Sequence, residues 1–79
     1  MEVAFDPAKD RANRQKHGAS LAGAADMDFD AALVIPDQRQ DYGEDRFQAV
    51  APLQGRLHVL AFTMRGNRLR AISLRMANA

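Results

Sequence analysis

The chain has 79 residues, of which 47% are hydrophobic and 27% charged, and its formal net charge is +1. These proportions are typical of a globular protein, and a chain this short forms one domain over residues 1–79. The absence of cysteine excludes disulfides and thiolate metal sites, and His17 and His58 lack zinc-motif spacing, so we expect neither metal nor cofactor. The longest apolar run, residues 59–64, is too short to cross a bilayer, which predicts a cytoplasmic protein.

The N-terminal third of the chain predicts one short strand and two helices. Residues 2–6 alternate polar and apolar side chains, as an edge strand does. An aspartate followed by proline then begins a first helix over residues 7–17, which Gly18 ends. Ser20 can cap a second, weaker helix over residues 21–27, where alanines favour helix formation.

The rest of the chain predicts β-strands. Residues 31–35 form a short apolar strand before a proline, and residues 37–45 form a polar loop. Three further strands, separated by two-residue turns, are predicted over residues 46–53, 56–64 and 68–76. The predicted fold class is therefore α+β, with two N-terminal helices packed on an antiparallel sheet that ends in a three-stranded meander.

The modest net charge is the sum of two unlike parts. Residues 1–45 hold all ten acids and five bases, whereas residues 46–79 hold six basic residues and no acid. The six bases are all arginine: Arg46, Arg56, Arg65, Arg68, Arg70 and Arg75. Because arginine presents a planar fork of donors that fits phosphate, this composition favours anion recognition. The alternative is a solvated face, or arginines paired with the acids of the first part.

The two-residue turns also predict which side chains share a face of the sheet. They pair Leu53 with Arg56 and Arg65 with Arg68, and the other pairs follow by counting along the strands. One face is then apolar enough to form the core. Its predicted members are Phe47, Ala49, Ala51, Leu53, Leu60, Phe62, Met64, Leu69 and Ala71.

On the opposite face, four arginines converge at one end of the sheet around Thr63, and Glu44 lies close to the pair at the tip. The four are Arg46, Arg65, Arg68 and Arg70. Like charges opposed across strands are destabilising, so the cluster indicates an external anion. In this register Arg75 falls on the core face beside His58, a position that suits an arginine only at the rim of the sheet. A one-residue bulge in any strand would move part of these side chains to the other face.

The same face continues as an apolar surface that nothing else in the chain covers. Its predicted members are Val50, Leu57, Val59, Ile72, Leu74 and Met76. A protein partner is the simplest cover, and we expect the isolated chain to associate with itself when that partner is absent.

Three blocks of residues carry a resemblance to a known family. They are Phe5-Asp6-Pro7-x-Lys9-x-x-x-Asn13-x-x-Lys16-His17-Gly18, Gly43-Glu44-Asp45-Arg46-Phe47 and Thr63-x-Arg65-Gly66-x-x-x-Arg70-x-Ile72-Ser73-x-Arg75-x-Ala77. Together they resemble the BrnT toxins of bacterial type II toxin-antitoxin systems over nearly the whole chain. The chain differs from many relatives at Phe5, where they have Trp, and at its end, where relatives usually continue into a charged segment.

The resemblance implies a fold similar to that of the RelE-like ribonuclease toxins and an activity that cleaves RNA and so inhibits translation. It also implies a BrnA-like antitoxin with a ribbon-helix-helix DNA-binding part, through which the pair would repress its own promoter. The stoichiometry stays open, a heterotetramer with the antitoxin being one arrangement.

RNA cleavage without a metal needs a base for the ribose 2′-OH, cations at the phosphate and a donor to the leaving oxygen. If the chain is a ribonuclease, Glu44 is the leading candidate for the base. The expected catalytic cations are Arg46 and Arg65 at the scissile phosphate, with Lys16 and Arg75 at the phosphate or the leaving group. Arg68, Arg70 and Lys9 are expected to bind RNA at flanking phosphates.

Several alternatives remain open at this stage. His17 could be the base, because an imidazole exchanges protons near neutral pH, or it could simply end its helix. Glu44 could be only a counter-ion for neighbouring arginines. Lys9 and Lys16 share a helix face with Asn13 and could form a solvated stripe. The alternative function is a non-catalytic RNA- or protein-binding module.

Overall fold

A computed structural model describes residues 2–77, so the end of the chain that was compared with relatives lies outside the described residues. The described part contains one α-helix, α1 (Pro7–His17), and one mixed sheet. The strands are β1 (Val3–Ala4), β2 (Leu33–Pro36), β3 (Phe47–Leu53), β4 (Arg56–Arg65) and β5 (Arg68–Met76). Their order in the sheet is β1-β5-β4-β3-β2. The α+β class is confirmed.

The sheet is mixed, whereas the sequence predicted an antiparallel one. β1 pairs with β5 in parallel, Val3 opposite Leu69, while the other pairs of neighbouring strands are antiparallel. The direction of β1 follows from the long connection through α1 and strands β2 to β4 that separates it from β5, because only a hairpin forces neighbours to be antiparallel.

Helix α1 has the predicted bounds. Asp6 caps it by accepting a hydrogen bond from the Ala8 N–H at 2.8 Å, and Pro7 occupies its first position. Gly18 ends it in the left-handed conformation, with φ of 72°. No helix among residues 2–77 is long and apolar enough to cross a membrane.

The second predicted helix is wrong in type. Residues Leu21–Asp26 form a 3-10 helix, capped by the Ser20 hydroxyl, and a second 3-10 turn follows at Phe29–Ala31. The first segment packs closely on the sheet. A Cβ atom at Gly23 would lie 3.4 Å from a methyl carbon of Leu74. Six residues with a glycine in the middle are too few to stabilise an α-helix, whereas 3-10 turns are common in short pieces.

The core lies between one sheet face and these 3-10 helices. Its buried apolar members are Leu21, Ala24, Met27, Ala49, Ala51, Leu53, Leu60, Phe62, Leu69, Ala71 and Leu74. The predicted core face is thus confirmed for most positions, with Phe47 half-buried and stacked 5.6 Å from Phe62. Met64 is an exception, because its side chain is 41% exposed.

The predicted turn registers are confirmed, but a β-bulge at Ile72 changes the far half of β5. The extra residue shifts the pairing with β4 by one position. Leu74 therefore turns toward the core, where it is fully buried, so its predicted place on the uncovered face is wrong. Arg75 pairs with Val59 rather than with His58, which places it on the same face as the other arginines.

An uncovered apolar surface is present in residues 2–77, although its membership differs from the prediction. Leu57 is 55% exposed, as expected, whereas Val50, Val59 and Ile72 are half-buried. The largest exposed stretch is one that the sequence interpretation missed: every residue of the edge strand β2 is exposed, Leu33 to 64%.

Asn13 joins α1 to the edge of β5. Its side-chain amide donates to the carbonyl oxygens of Leu74 and Ala19, both at 2.8 Å, and its oxygen accepts the Leu74 N–H at 3.0 Å. The side chain is buried, and it satisfies strand groups that β1 does not reach. Asn13 thus has a structural role, although it shares a helix face with Lys9 and Lys16.

Replacing this amide should destabilise the protein. We expect Asn13→Ala to lower the free energy of unfolding by about 2–4 kcal/mol, because the buried Leu74 and Ala19 groups lose their partners. Urea unfolding checks this, with Gln15→Ala on the exposed side of α1 as control, expected within about 0.5 kcal/mol of the parent. Equal midpoints for the two variants would contradict the role of Asn13.

Candidate functional site

Glu44 lies between two arginines at one end of the sheet. Its carboxylate is 3.7 Å from the Arg46 Nε and 3.5 Å from the Arg65 Nη2. The loop that carries Glu44 is fixed to β4, because the Thr63 hydroxyl donates to the Asp45 carbonyl oxygen at 2.6 Å. The structure therefore brings together the predicted base and both cations predicted for the scissile phosphate.

Arg46 holds an unsatisfied donor in this cluster. Its Nε is buried and has no hydrogen-bond partner among residues 2–77, since Glu44 is too distant for one. The guanidinium stacks over the Tyr42 ring, 4.1 Å from its centroid, which fixes its plane. Buried donors are rarely left unpaired, so the guanidinium of Arg46 is not saturated by Glu44.

The two ion pairs of Glu44 are loose enough to exchange partners. Both separations are long for charge-assisted hydrogen bonds, and the Arg65 side chain is 63% exposed. The exposed pair with Arg65 contributes only about 0–1 kcal/mol. Phosphate oxygens can therefore replace Glu44 on these guanidinium groups and leave its carboxylate free to accept a proton.

A second cavity, the arginine groove, adjoins this cluster through Arg65. It has a volume of about 470 Å³ and is lined by Ala4, Arg65, Asn67, Arg68 and Arg70. Arg70 pairs with Thr63 across β4 and β5, and no carboxylate among residues 2–77 forms an ion pair with it. Arg68 forms its ion pair with Glu2 at 2.8 Å, whereas Glu44 pairs with Arg46 and Arg65. The groove can bind an anion at Arg70 without first losing an internal ion pair.

The other predicted cations lie further along the sheet. Lys9 and Lys16 line a groove of about 260 Å³ between α1 and the bulge of β5. Arg75 pairs with Val59, four residues from Thr63 along β4, which corresponds to about 13 Å. Lys16, on α1, and Arg75, on β5, are therefore not part of the Glu44 cluster.

His17 and His58 meet in a different cavity, which the sequence interpretation did not anticipate. This cavity, of about 340 Å³, also contains Asp26 and lies beside the β3–β4 turn, at the other end of β4 from Arg65. The His58 Nδ1 is 2.9 Å from the Arg56 carbonyl oxygen. No group of three or more His, Cys, Asp or Glu residues in the described range is placed to hold a metal ion. The structure thus separates His17 from the arginines.

The loop between β2 and β3 is organised by an ion pair between the buried carboxylate of Asp37 and the exposed side chain of Arg39, which the sequence interpretation missed. Arg39 donates two hydrogen bonds to the Asp37 carboxylate, at 2.9 and 2.8 Å, and the Tyr42 hydroxyl donates a third at 3.3 Å. The Arg39 hydrogen bond lowers the pKa of Asp37 to about 2, and the same pair raises the pKa of Arg39 further above its usual range. The chain's lone tyrosine, four residues before Arg46, was the signal that could have revealed this arrangement.

The resemblance seen in the sequence is borne out by a comparison with protein families. The model of the BrnT family, described as a ribonuclease toxin of type II toxin-antitoxin systems, matches residues 5–79. The chain is a member of the BrnT family. No curated protein matches it. Membership in the BrnT family implies a ribonuclease toxin that has a protein antitoxin as its partner.

Proposed function

We propose that this BrnT protein is an endoribonuclease that cleaves RNA without a metal ion. The ribose 2′-oxygen attacks the adjacent phosphorus, a new P–O2′ bond forms and the P–O5′ bond breaks. The products are a 2′,3′-cyclic phosphate and a 5′-hydroxyl. The observation that carries the proposal is the position of Glu44 between Arg46 and Arg65, which supplies a proton acceptor beside two phosphate-binding cations.

Each residue of the cluster has one role in the proposed reaction. Glu44 accepts the proton of the 2′-OH, while Arg46 and Arg65 stabilise the charge that develops on the phosphate. Arg70 and Arg68 hold a neighbouring phosphate in the arginine groove. The location of Lys9, Lys16 and Arg75 favours contacts with phosphates further along the RNA, and the leaving 5′-oxygen takes its proton from water at the open edge of the cluster.

The partner in this proposal is a BrnA-like antitoxin of the ribbon-helix-helix class, which contacts DNA and can assemble with the toxin as a heterotetramer in the cytoplasm. The exposed apolar side chains of β2, together with Leu57, offer a surface for it. The basic face on an α+β scaffold agrees with a RelE-like toxin.

The proposal is tested by incubating the purified protein with ribosome-free RNA in EDTA and mapping the fragment ends. We expect fragments that end in 2′,3′-cyclic phosphate. A parallel reaction with translating ribosomes distinguishes a ribosome-dependent enzyme from an inactive one. RNA that is bound but intact in both reactions would overturn the proposal and favour a non-catalytic RNA-binding module.

A further inference from the structure

A large cavity lies beneath the loop that joins β2 to β3, next to the Glu44 cluster. We call it the loop cavity, and its volume is about 690 Å³. Its lining residues include Gln40, Asp41, Tyr42, Glu44, Asp45 and Arg46. Because Glu44 and Arg46 belong both to this lining and to the proposed cleavage cluster, a group in the loop cavity would lie beside the reacting phosphate.

Flat side chains form part of the wall of the loop cavity. The Tyr42 ring and the Arg46 guanidinium stack at 4.1 Å, and Phe47 adds a half-buried ring. Proteins that recognise unpaired RNA bases stack them on aromatic rings and on guanidinium planes. The shape and composition of this wall therefore suit a planar base rather than a phosphate.

Four of the side chains that line the cavity are carboxylates, and the amides of Gln38 and Gln40 add both donors and acceptors. Arg39 neutralises Asp37, and Glu44 is shared by two arginines. Asp41 and Asp45 form no ion pair with any residue in the range 2–77, and Asp41 also accepts the Gly43 N–H at 2.9 Å. An ionised carboxylate accepts hydrogen bonds but donates none, so these two residues repel phosphate and attract amino groups.

The guanidinium of Arg46 supplies N–H donors in the same wall. Cytosine presents an exocyclic amino donor and, on the same edge, acceptor atoms, whereas uracil presents carbonyl oxygens where cytosine has its amino group. Carboxylates are the side chains that accept from the cytosine amino group. The cavity thus matches bases with an exocyclic amino group better than it matches uracil.

We propose that the loop cavity binds an unstacked RNA base next to the cleaved phosphate and that Asp41 and Asp45 select bases with an exocyclic amino group over uracil. The inference rests on the proposed function, because the RNA reaches this cavity along the arginine groove. It assigns sequence selection to the loop cavity and phosphate chemistry to the Glu44 cluster and the arginine groove.

The test compares the binding of two fluorescent 2′-O-methyl RNA hexamers, all cytidine and all uridine, which cannot be cleaved by 2′-oxygen attack. The native chain should bind the cytidine hexamer at least about 5-fold more tightly. Asp41→Asn or Asp45→Asn should bring this ratio close to one, because an amide can also donate to uracil. Asp30→Asn removes the same charge at an exposed site outside the cavity and should keep the ratio.

Equal affinities in the native chain, or a ratio that both cavity variants retain, would overturn the inference. Equal affinities together with binding of an arginine-rich peptide that Asp41→Asn abolishes would assign the cavity to a protein partner. A cytidine preference that depends on Asp41 or Asp45, without cleavage of unmodified RNA in either reaction above, would support the base site while the proposed nuclease function fails. Absence of binding to both hexamers would overturn the inference, and the two cleavage reactions would then decide the proposed function by themselves.

Discussion

Arg65→Ala should lower the rate of RNA cleavage about 100- to 1,000-fold, because it removes one of the two cations proposed to stabilise the transition-state phosphate. Arg65 is exposed at the end of β4 and its interaction with Glu44 is long, so the substitution removes little folding energy. Arg65→Lys keeps the positive charge but loses the planar fork of the guanidinium. Its cleavage rate should therefore lie between those of the native chain and of Arg65→Ala. Rates are measured on a short RNA in EDTA.

The chain offers a matched control for this experiment. Arg56 lies at the opposite end of the same strand and is exposed, and among residues 2–77 its guanidinium forms a hydrogen bond only with the Met76 sulfur. Arg56→Ala should change the rate by less than about 2-fold, within the small effects expected of surface substitutions. A loss of the same size in both variants would mean that overall basic charge, and not the position of Arg65, controls cleavage.

Glu44→Gln should lower cleavage about 100- to 10,000-fold, the range in which general-base catalysis contributes. The substitution keeps the shape of the side chain but removes the proton acceptor. It also removes the counter-ion of Arg46 and Arg65, so binding of RNA should become tighter. Cleavage in single-turnover conditions and binding of a non-cleavable RNA are measured on the same preparation.

Slower cleavage together with tighter RNA binding would distinguish a general base from a simple counter-ion. Glu2 is the second carboxylate that pairs with an arginine of this face, at 2.8 Å from Arg68, so Glu2→Gln is the appropriate control. It should strengthen RNA binding slightly and leave cleavage within about 2-fold. If Glu44→Gln also binds more tightly and cleaves as fast as the parent, Glu44 is a counter-ion and the base is another group.

The turns explain why so much of the sheet could be predicted. Two-residue turns at 54–55 and 66–67 leave one register for each hairpin, and both registers are observed. That register alone places Thr63 beside Arg70 and brings Arg65 next to Arg68. Glu44 and Arg46 lie just before β3 in the chain. Counting residues along the β3–β4 hairpin therefore also predicted that they lie beside Arg65.

The remaining features depend on packing that local patterns do not show. No residue type marks the bulge at Ile72, which exists because Leu74 gains a buried position by it. The loop cavity depends on Asp37 and Arg39, two residues that resemble ordinary loop charges in the sequence. The partner of Arg68 comes from the opposite end of the chain, and contacts at such a separation have no periodic signal.

The side-chain amide of Asn13 also limits the edges of this sheet at which another strand can pair. β1 covers the start of the outer edge of β5 and Asn13 occupies it again at Leu74, so in the described part of the chain the open edge is that of β2. Side chains on both sides of β2 are exposed and apolar, which is the usual state of a strand that accepts another strand. Any polypeptide that extends the sheet would therefore add at one side, as a single strand per toxin.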